Sequence, residues 1–344
     1  HGTGRFAGPN TLHVEGPSGH ETVEADHILL AVGTSPARLT GVPFNQEDII
    51  TSDEILQLRA LPRSMMVVGG GVIGTEYASM LAALGVKTTL IERRNRLLDF
   101  VDTEIAEALQ YHLRQAGVTL RMGEKVVKVN LIDAPEGAQS TNKVFAEAVL
   151  ESGKTLRADC LLYCAGRQGN TDSLNLAAAG LAADPRGRIK VDEHFRTSVP
   201  HIYAAGDVVG FPALASTSME QGRLAACHMF DHRAEMLERL LPYGIYSVPE
   251  ISMVGWTEEQ LTAESIPFES GVAYYREIAR GQLLGDEIGM LKMLIHQEYV
   301  LAESRFDTHF TFIDPEARTE VTRTAQHWVY SARELTLLLA AAGL

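Results

Sequence analysis

Residues 65–68, Met-Met-Val-Val, contain no polar position, the pattern of a strand buried on both faces, and three glycines follow at once. From Thr75 to Leu84 the pattern predicts a helix that stops at Gly85. Val86 to Ile91 is a second apolar run, so strand, helix and strand follow one another within 30 residues. Asp102 then stands before Ile105, Leu109 and Leu113, which share one helix face, and Gly117 ends that helix. Strands are predicted at about Val118 to Arg121, Val126 to Ile132, Val144 to Leu150 and Leu156 to Cys164. Asp133 to Thr141, small and polar around Pro135 and Gly137, reads as a hairpin loop.

The same pattern divides the chain. Residues 1–50 alternate short β-like runs with turns, including Asn10 to Val14 and Glu21 to Val32. These read as strands from the middle of a domain, so the chain is expected to be a piece cut on its N-terminal side. Residues 51–167 form a self-contained βαβ pattern. Residues 168–241 hold a mixed unit around His201 to Asp207 and a following helix. Residues 242–297 open a third unit with a helix beginning near Thr257, and residues 298–344 change character again.

The glycines carry the chemistry. Gly69-x-Gly71-x-x-Gly74 joins a strand to a helix, so the first glycine fits a tight turn and the second lets a pyrophosphate approach the backbone. The third allows close packing of helix on strand, and the helix N-terminus then faces the phosphates. Glu92 follows Gly74 by 18 residues at the end of the second strand, where a ribose hydroxyl needs an acceptor. A carboxylate there suits NAD, whereas Arg93, Arg94 and Arg96 suit the 2′-phosphate of NADP. Use of both nucleotides, and arginines that only solvate a loop, both remain open.

Composition sets limits. With 344 residues and 45 % hydrophobic content the chain can bury more than one core. No apolar run approaches the roughly 20 residues of a membrane-spanning helix. A net charge of −14 disfavours nucleic acid and anionic membranes as partners. Three cysteines make no disulfide framework, and a reducing cytoplasm is the simplest home.

Three more segments join the glycine motif. Ile28 to Pro36 resembles the strand and turn that link the FAD and NAD domains of two-dinucleotide flavoproteins. Gly69 to Glu76 resembles their nicotinamide-nucleotide fingerprint, and Thr197 to Val208 their second FAD motif. Val248 to Gly255 resembles the entry to their dimerisation domain. The chain thus resembles the pyridine nucleotide-disulfide oxidoreductase family from about residue 1 to 297. Within it, Leu161 to Asp172 and Arg93 to Asp102 are similar to transhydrogenase-type members.

The resemblance implies an α/β fold: a Rossmann-like NAD(P) domain with a partial FAD domain and a partial α+β dimerisation domain. It implies FAD, NAD and NADP as cofactors, a homodimer, and hydride transfer from NADPH to NAD+ by way of the flavin. No protein nucleophile or metal is called for. Gly69, Gly71 and Gly74 would hold the pyrophosphate, and Glu92 with Arg93 the adenosine ribose. Glu76 would lie near the nicotinamide and Gly166 near the nucleotide. Gly206 and Asp207 would hold FAD, with Ala215 and residues 220–222 near the flavin ring. A dihydrolipoamide dehydrogenase-like reductase and a non-catalytic nucleotide-binding module are the alternatives, because the region that would carry the first FAD glycine motif and a redox disulfide has no counterpart in this sequence.

Blander readings stand beside these. Glu76 could be a first-turn carboxylate favoured by the helix dipole, and Asp207 a turn residue after Gly206. Cys160 and Cys164, four apart on one strand, lie about 13 Å apart at ~3.3 Å per residue, too far for a disulfide. They read as buried structural thiols. His228 and His232 have a spacing that could ligate a metal, but a packed or solvated helix end accounts for them better. The ending from Val329 to Leu344 resembles the last strand and helix of class I S-adenosylmethionine-dependent methyltransferases, and no methyl-donor site accompanies it.

Overall fold

The structure is a computed structural model that describes residues 1–17, 19–135, 143–232, 242–285, 288–295, 297–300, 305–314 and 319–328, the last three stretches by backbone alone. Two compact units emerge. The first holds His1–Asp99 and Ala106–Gly255, the second Phe100–Ile105 and Trp256–Leu344.

The first unit opens with an antiparallel meander of β1 (Thr3–Gly8), β2 (Thr11–Gly16) and β3 (Gly19–Glu24). The run predicted from Glu21 to Val32 is broken at Ala25, and it resumes as β4 (Ile28–Leu30) in a different sheet. Next come β5 (Thr34–Pro36), β6 (Ile49–Ile50), β7 (Ser64–Val68), α1 (Val72–Ala83), β8 (Lys87–Glu92), α2 (Thr103–Gln115) and β9 (Thr119–Met122). β10 (Val126–Asp133), β11 (Val144–Leu150) and β12 (Thr155–Ala158) form an antiparallel sheet, with Asp133 opposite Val144. Residues 136–142 of the expected hairpin loop lie outside the described residues.

The strand predicted from Leu156 to Cys164 is two strands. β12 stays in the antiparallel sheet, while β13 (Cys160–Tyr163) enters a five-stranded parallel sheet of order β6-β13-β7-β8-β9. Asp159 sits at the break. Its buried carboxylate accepts hydrogen bonds from the backbone N–H and hydroxyl of Ser64, both within 3.0 Å, which pins the start of β7 beside the start of β13. The pattern changes there from the alternating Thr155-Leu-Arg-Ala158 to the apolar Cys160-Leu-Leu-Tyr163, but with only Asp159 between them the two read as one run. Met66, Val68, Ile91 and Leu161 then pack with Val129 and Leu150 into one core.

β14 (Arg167–Gly169) pairs antiparallel with β5, and β15 (Ile202–Ala204) pairs parallel with β4. A second core of Phe6, Ile28, Leu30, Ile189, Ile202 and Val208 lies around that pair. α3 (Ala215–Met229), β16 (Tyr243–Ile245) and β17 (Ile251–Met253) complete the unit.

The second unit begins with α4 (Glu258–Ala263), whose Thr257 and Gln260 form a reciprocal capping box. β18 (Glu269–Tyr274), α5 (Ala279–Leu284) and β19 (Met290–Ile295) follow, and β18 pairs antiparallel with β19. Segment 100–105 belongs here for an electrostatic reason. Lys292, 6 % exposed, places Nζ 2.8 Å from Asp102, 3.0 Å from Glu104 and 2.8 Å from Glu258. Thr103 adds a hydrogen bond to Glu259. β20 (Gln297–Val300), β21 (Arg305–Asp314) and β22 (Thr319–Trp328) form an antiparallel sheet. The methyltransferase-like ending at 329–344 lies outside the described residues.

Candidate functional site

The glycine motif is built by close approach. Gly69 has φ +109°, and a Cβ there would lie 2.7 Å from the carbonyl oxygen of Cys164. A Cβ on Gly74 would lie 1.9 Å from the carbonyl oxygen of Gly69, so α1 packs against the turn only because residue 74 has no side chain. Gly71 differs. A Cβ added there meets no protein atom within 4 Å, so packing does not explain this glycine, whereas a ligand lying against the backbone does. Gly71 is also the N-cap of α1 and supplies no side-chain cap, which leaves the first-turn N–H groups for an anion. This chemistry fits a dinucleotide pyrophosphate.

Glu92 is 4 % exposed, and both of its carboxylate oxygens accept hydrogen bonds. One carboxylate oxygen accepts from Gly70 N–H at 2.5 Å, and the other from Arg94 N–H and Nε, both at 2.9 Å. Burial pushes its pKa up, but the Arg94 side chain and the backbone N–H groups of Arg94 and Gly70 outweigh burial and hold it below the usual carboxylate range. Arg94 also pairs with Asp99. Arg96 donates to the Asp99 carbonyl oxygen at 2.7 Å. Arg93 is exposed and has no ion-pair partner among the described residues. The three arginines thus differ in ways their spacing could not show.

Glu76, on α1, accepts a hydrogen bond from the N–H of Tyr246 at 2.8 Å, and Ser79 Oγ accepts one from Val248 N–H at 2.9 Å. The segment after β16 is therefore tied to α1. Tyr243 links the two halves of the first unit electrostatically: burial raises its phenol pKa, and the charges of Glu76 and then Asp207 raise it further. Gly166, at φ +119°, is exposed, and its carbonyl accepts from Ala37 N–H at 3.1 Å.

The second motif lies after β15. Gly206 takes φ +81° and donates its N–H to Gln221 Oε1 at 2.8 Å, which ties the turn to α3. Asp207 Oδ2 accepts from the hydroxyl of Thr34 at 3.2 Å, and Oδ1 has no hydrogen-bond partner among the described residues. Ala215 is the exposed first residue of α3, which has no side-chain cap. In the first turn the hydroxyl of Thr217 is buried without a partner. An open helix N-terminus, a carboxylate oxygen and a buried hydroxyl in need of partners fit the polar groups of a flavin and its sugar alcohol. Thr34 and Arg167 lie inside segments that carry the family resemblance, Ile28 to Pro36 and Leu161 to Asp172, but sequence reading gave neither a role, and it missed Thr217.

The remaining candidates stand apart. Cys160 and Cys164 are both free thiols whose pKa burial pushes up to about 12, the reverse of a reactive thiolate. His228 packs against His194 with ring centroids 4.3 Å apart. No cluster of three or more His, Cys, Asp or Glu suited to a metal occurs among the described residues. No helix among them is long and apolar enough to cross a membrane.

Residues 1–222 match the family described as pyridine nucleotide-disulphide oxidoreductase, and residues 241–300 match its dimerisation domain. The chain belongs to this family and has its mixed α/β fold. It is 54 % identical over 299 residues to the soluble pyridine nucleotide transhydrogenase of Mycobacterium tuberculosis, and 46 % identical over 299 residues to that of Vibrio vulnificus. In both cases the match covers 86 % of this chain and 62 % of the relative, so the chain spans under two thirds of the length of these curated relatives. Among solved structures, LpdA from Mycobacterium tuberculosis is similar at TM-score 0.77 and 26 % identity, over 87 % of this chain and 64 % of that one. The Cu(II) complex of the HOCl-induced flavoprotein disulfide reductase RclA from Escherichia coli is similar at 0.75 and 25 %, over 100 % and 72 %.

Proposed function

We propose that the chain is part of an FAD-dependent transhydrogenase that moves hydride from NADPH to NAD+. The observation that carries this reading is the glycine-built turn before α1, together with 54 % identity to a soluble transhydrogenase. When bound, the flavin supplies the hydride acceptor and donor.

The protein's own residues bind and orient. Gly69 and Gly74 bring strand, turn and helix together, and Gly71 leaves the backbone open for the pyrophosphate. Glu92 serves the adenosine ribose, with exposed Arg93 as the cation for a 2′-phosphate. Glu76 would lie near the nicotinamide and Gly166 near the nucleotide. Gly206, Asp207 and Ala215 serve the flavin, with the Thr217 hydroxyl as a further donor. The segments 1–50 and 168–241 would make the FAD-binding part, 51–167 the NAD(P)-binding domain and 242–297 part of a dimerisation domain. The reading includes a homodimer in the cytoplasm with neither nucleic acid nor membrane as partner. The disulfide-reductase alternative is disfavoured by the segment Gly169-Asn170-Thr171-Asp172 after Arg167, which departs from the pattern of disulfide reductases.

The test is hydride exchange. The purified chain, supplied with FAD and NADPH, should reduce an NAD analogue at a rate that depends on FAD. Reduction of lipoamide in place of the analogue would overturn the transhydrogenase reading in favour of a disulfide reductase.

A further inference from the structure

Arg167 and Thr34 have no role assigned by the sequence, yet Arg167 connects through Thr34 to the candidate flavin carboxylate. β5 and β14 pair antiparallel, with Gly169 opposite Thr34 and Arg167 opposite Pro36. The Arg167 side chain runs back along β5. Its Nε donates to Thr34 Oγ1 at 2.6 Å and its Nη2 to the Thr34 carbonyl oxygen at 2.7 Å. The Thr34 hydroxyl then reaches Asp207 Oδ2 at 3.2 Å, across 173 residues of sequence.

The direction of each bond is forced. A guanidinium only donates and a carboxylate only accepts. Thr34 Oγ1 takes the Arg167 hydrogen bond, which leaves its single proton for Asp207. Donation from a cation at 2.6 Å also polarises the hydroxyl and strengthens it as a donor. The strand carrying Thr34 is held on other sides too. Asn170 donates its N–H to Gly33 O at 3.1 Å and its Nδ2 to Val32 O at 2.9 Å, and accepts from Ser35 Oγ at 2.7 Å. Gly169 lies so close to Gly187 that a Cβ on it would fall 2.0 Å from the Gly187 carbonyl oxygen. Among the described residues Arg167 makes no ion pair, so no other carboxylate competes for it.

We propose that Arg167, acting through Thr34, is a positioning residue for Asp207. The relay occupies Oδ2 and leaves Oδ1 as the acceptor for a hydroxyl of the flavin sugar alcohol. It joins the strand that follows Gly166 to the flavin carboxylate, and it rests on the flavin reading given above.

FAD titration of the purified chain, followed by quenching of flavin fluorescence, separates the outcomes. Thr34→Val keeps the shape and removes the hydroxyl, and should weaken FAD binding about 10-fold, the size of one hydrogen bond to a charged group. Thr34→Ser restores the hydroxyl and should bind within about twofold of the parent chain. Arg167→Met should weaken binding by a similar factor, and the Thr34→Val/Arg167→Met double variant should be no weaker than the worse single variant. A packing role for Thr34 predicts the opposite order, with valine tolerated and serine harmful. If the parent chain binds FAD and Thr34→Val binds it equally well, the relay is wrong while the flavin reading stands. If the parent chain takes up no FAD, both fall together.

Discussion

The first turn of α1 and the first turn of α3 carry the two candidate cofactor motifs, and they are finished to different degrees. At α1 the protein closes on itself. Gly74 packs against Gly69 with no room for a methyl group, and Glu92 satisfies both Gly70 and Arg94. The five-stranded parallel sheet supports that turn. At α3 Asp207 Oδ1 and the buried Thr217 hydroxyl have no hydrogen-bond partner among the described residues, and at α1 the buried Thr75 hydroxyl likewise has none. The β4–β15 pair beneath that turn makes a two-stranded sheet. The turn at α1 is shaped by its own chain and still leaves the backbone beside Gly71 open for a ligand. A buried unsatisfied hydroxyl such as that of Thr217 costs about 1–3 kcal/mol until it is paired, so pairing with a ligand adds to affinity.

The largest effect should come from Gly74→Ala. Its new Cβ would overlap a backbone oxygen, which no rotamer change relieves, so a loss on the order of 3 kcal/mol in stability is expected, together with loss of NADH binding. Thermal denaturation beside a nucleotide fluorescence titration measures both. Wild-type melting in this variant would break the claim that α1 is self-closed.

Gly71→Ala sharpens the same point by contrast. Its Cβ enters open space, so stability should stay within about 0.5 kcal/mol. NADH and NADPH binding should each weaken about 10-fold or more, because the methyl group stands where the pyrophosphate approaches. Unchanged affinity in a stable variant would remove the pyrophosphate from this turn.

Glu92 gives a pH test of moderate size. Its folded pKa lies below the ordinary carboxylate value, so its stabilisation is present above about pH 4.3 and is lost as pH falls through the lower folded value. Glu92→Gln should be less stable than the parent at pH 7, and the gap should narrow in acid. A gap independent of pH would mean that the Arg94 pair contributes no net stability. In the same variant, NADH affinity should fall about 10-fold, and NADPH affinity should fall less.

The smallest effect belongs to α3. Thr217→Val removes an unpaired buried hydroxyl, so without FAD the variant should match or exceed the parent by up to about 1 kcal/mol. With FAD the order should reverse if the hydroxyl meets the flavin. Denaturation with and without added FAD tests this, and a variant less stable in both conditions would contradict the contrast between the two turns.

The contrast also explains what the sequence showed. The α1 site was legible because its parts lie within 24 residues and obey a local rule of strand, glycine turn, helix, strand and acid. Its hydrogen-bond assignment was not legible, because three neighbouring arginines look alike in sequence and only folding sends Arg94 to Glu92 and Arg96 to Asp99 O. At α3 Gly206, Asp207, Ala215 and residues 220–222 stood out, through their resemblance to a flavin motif. Thr34 and Arg167 reach that site through pairing of β5 with β14, separated by more than 100 residues, which no local pattern encodes. The break at Asp159 was hidden for a related reason, since two strands of different sheets separated by a single residue read as one.

The central claim is that this chain holds a working flavin site beside its nucleotide site, and the visible absorption spectrum of the purified chain with and without added FAD tests it most directly. The account predicts flavin bound in a 1:1 ratio that survives desalting, with its absorption bands displaced from those of free FAD. A colourless chain that returns all added FAD to the filtrate would contradict it and leave a nucleotide-binding protein without the hydride carrier.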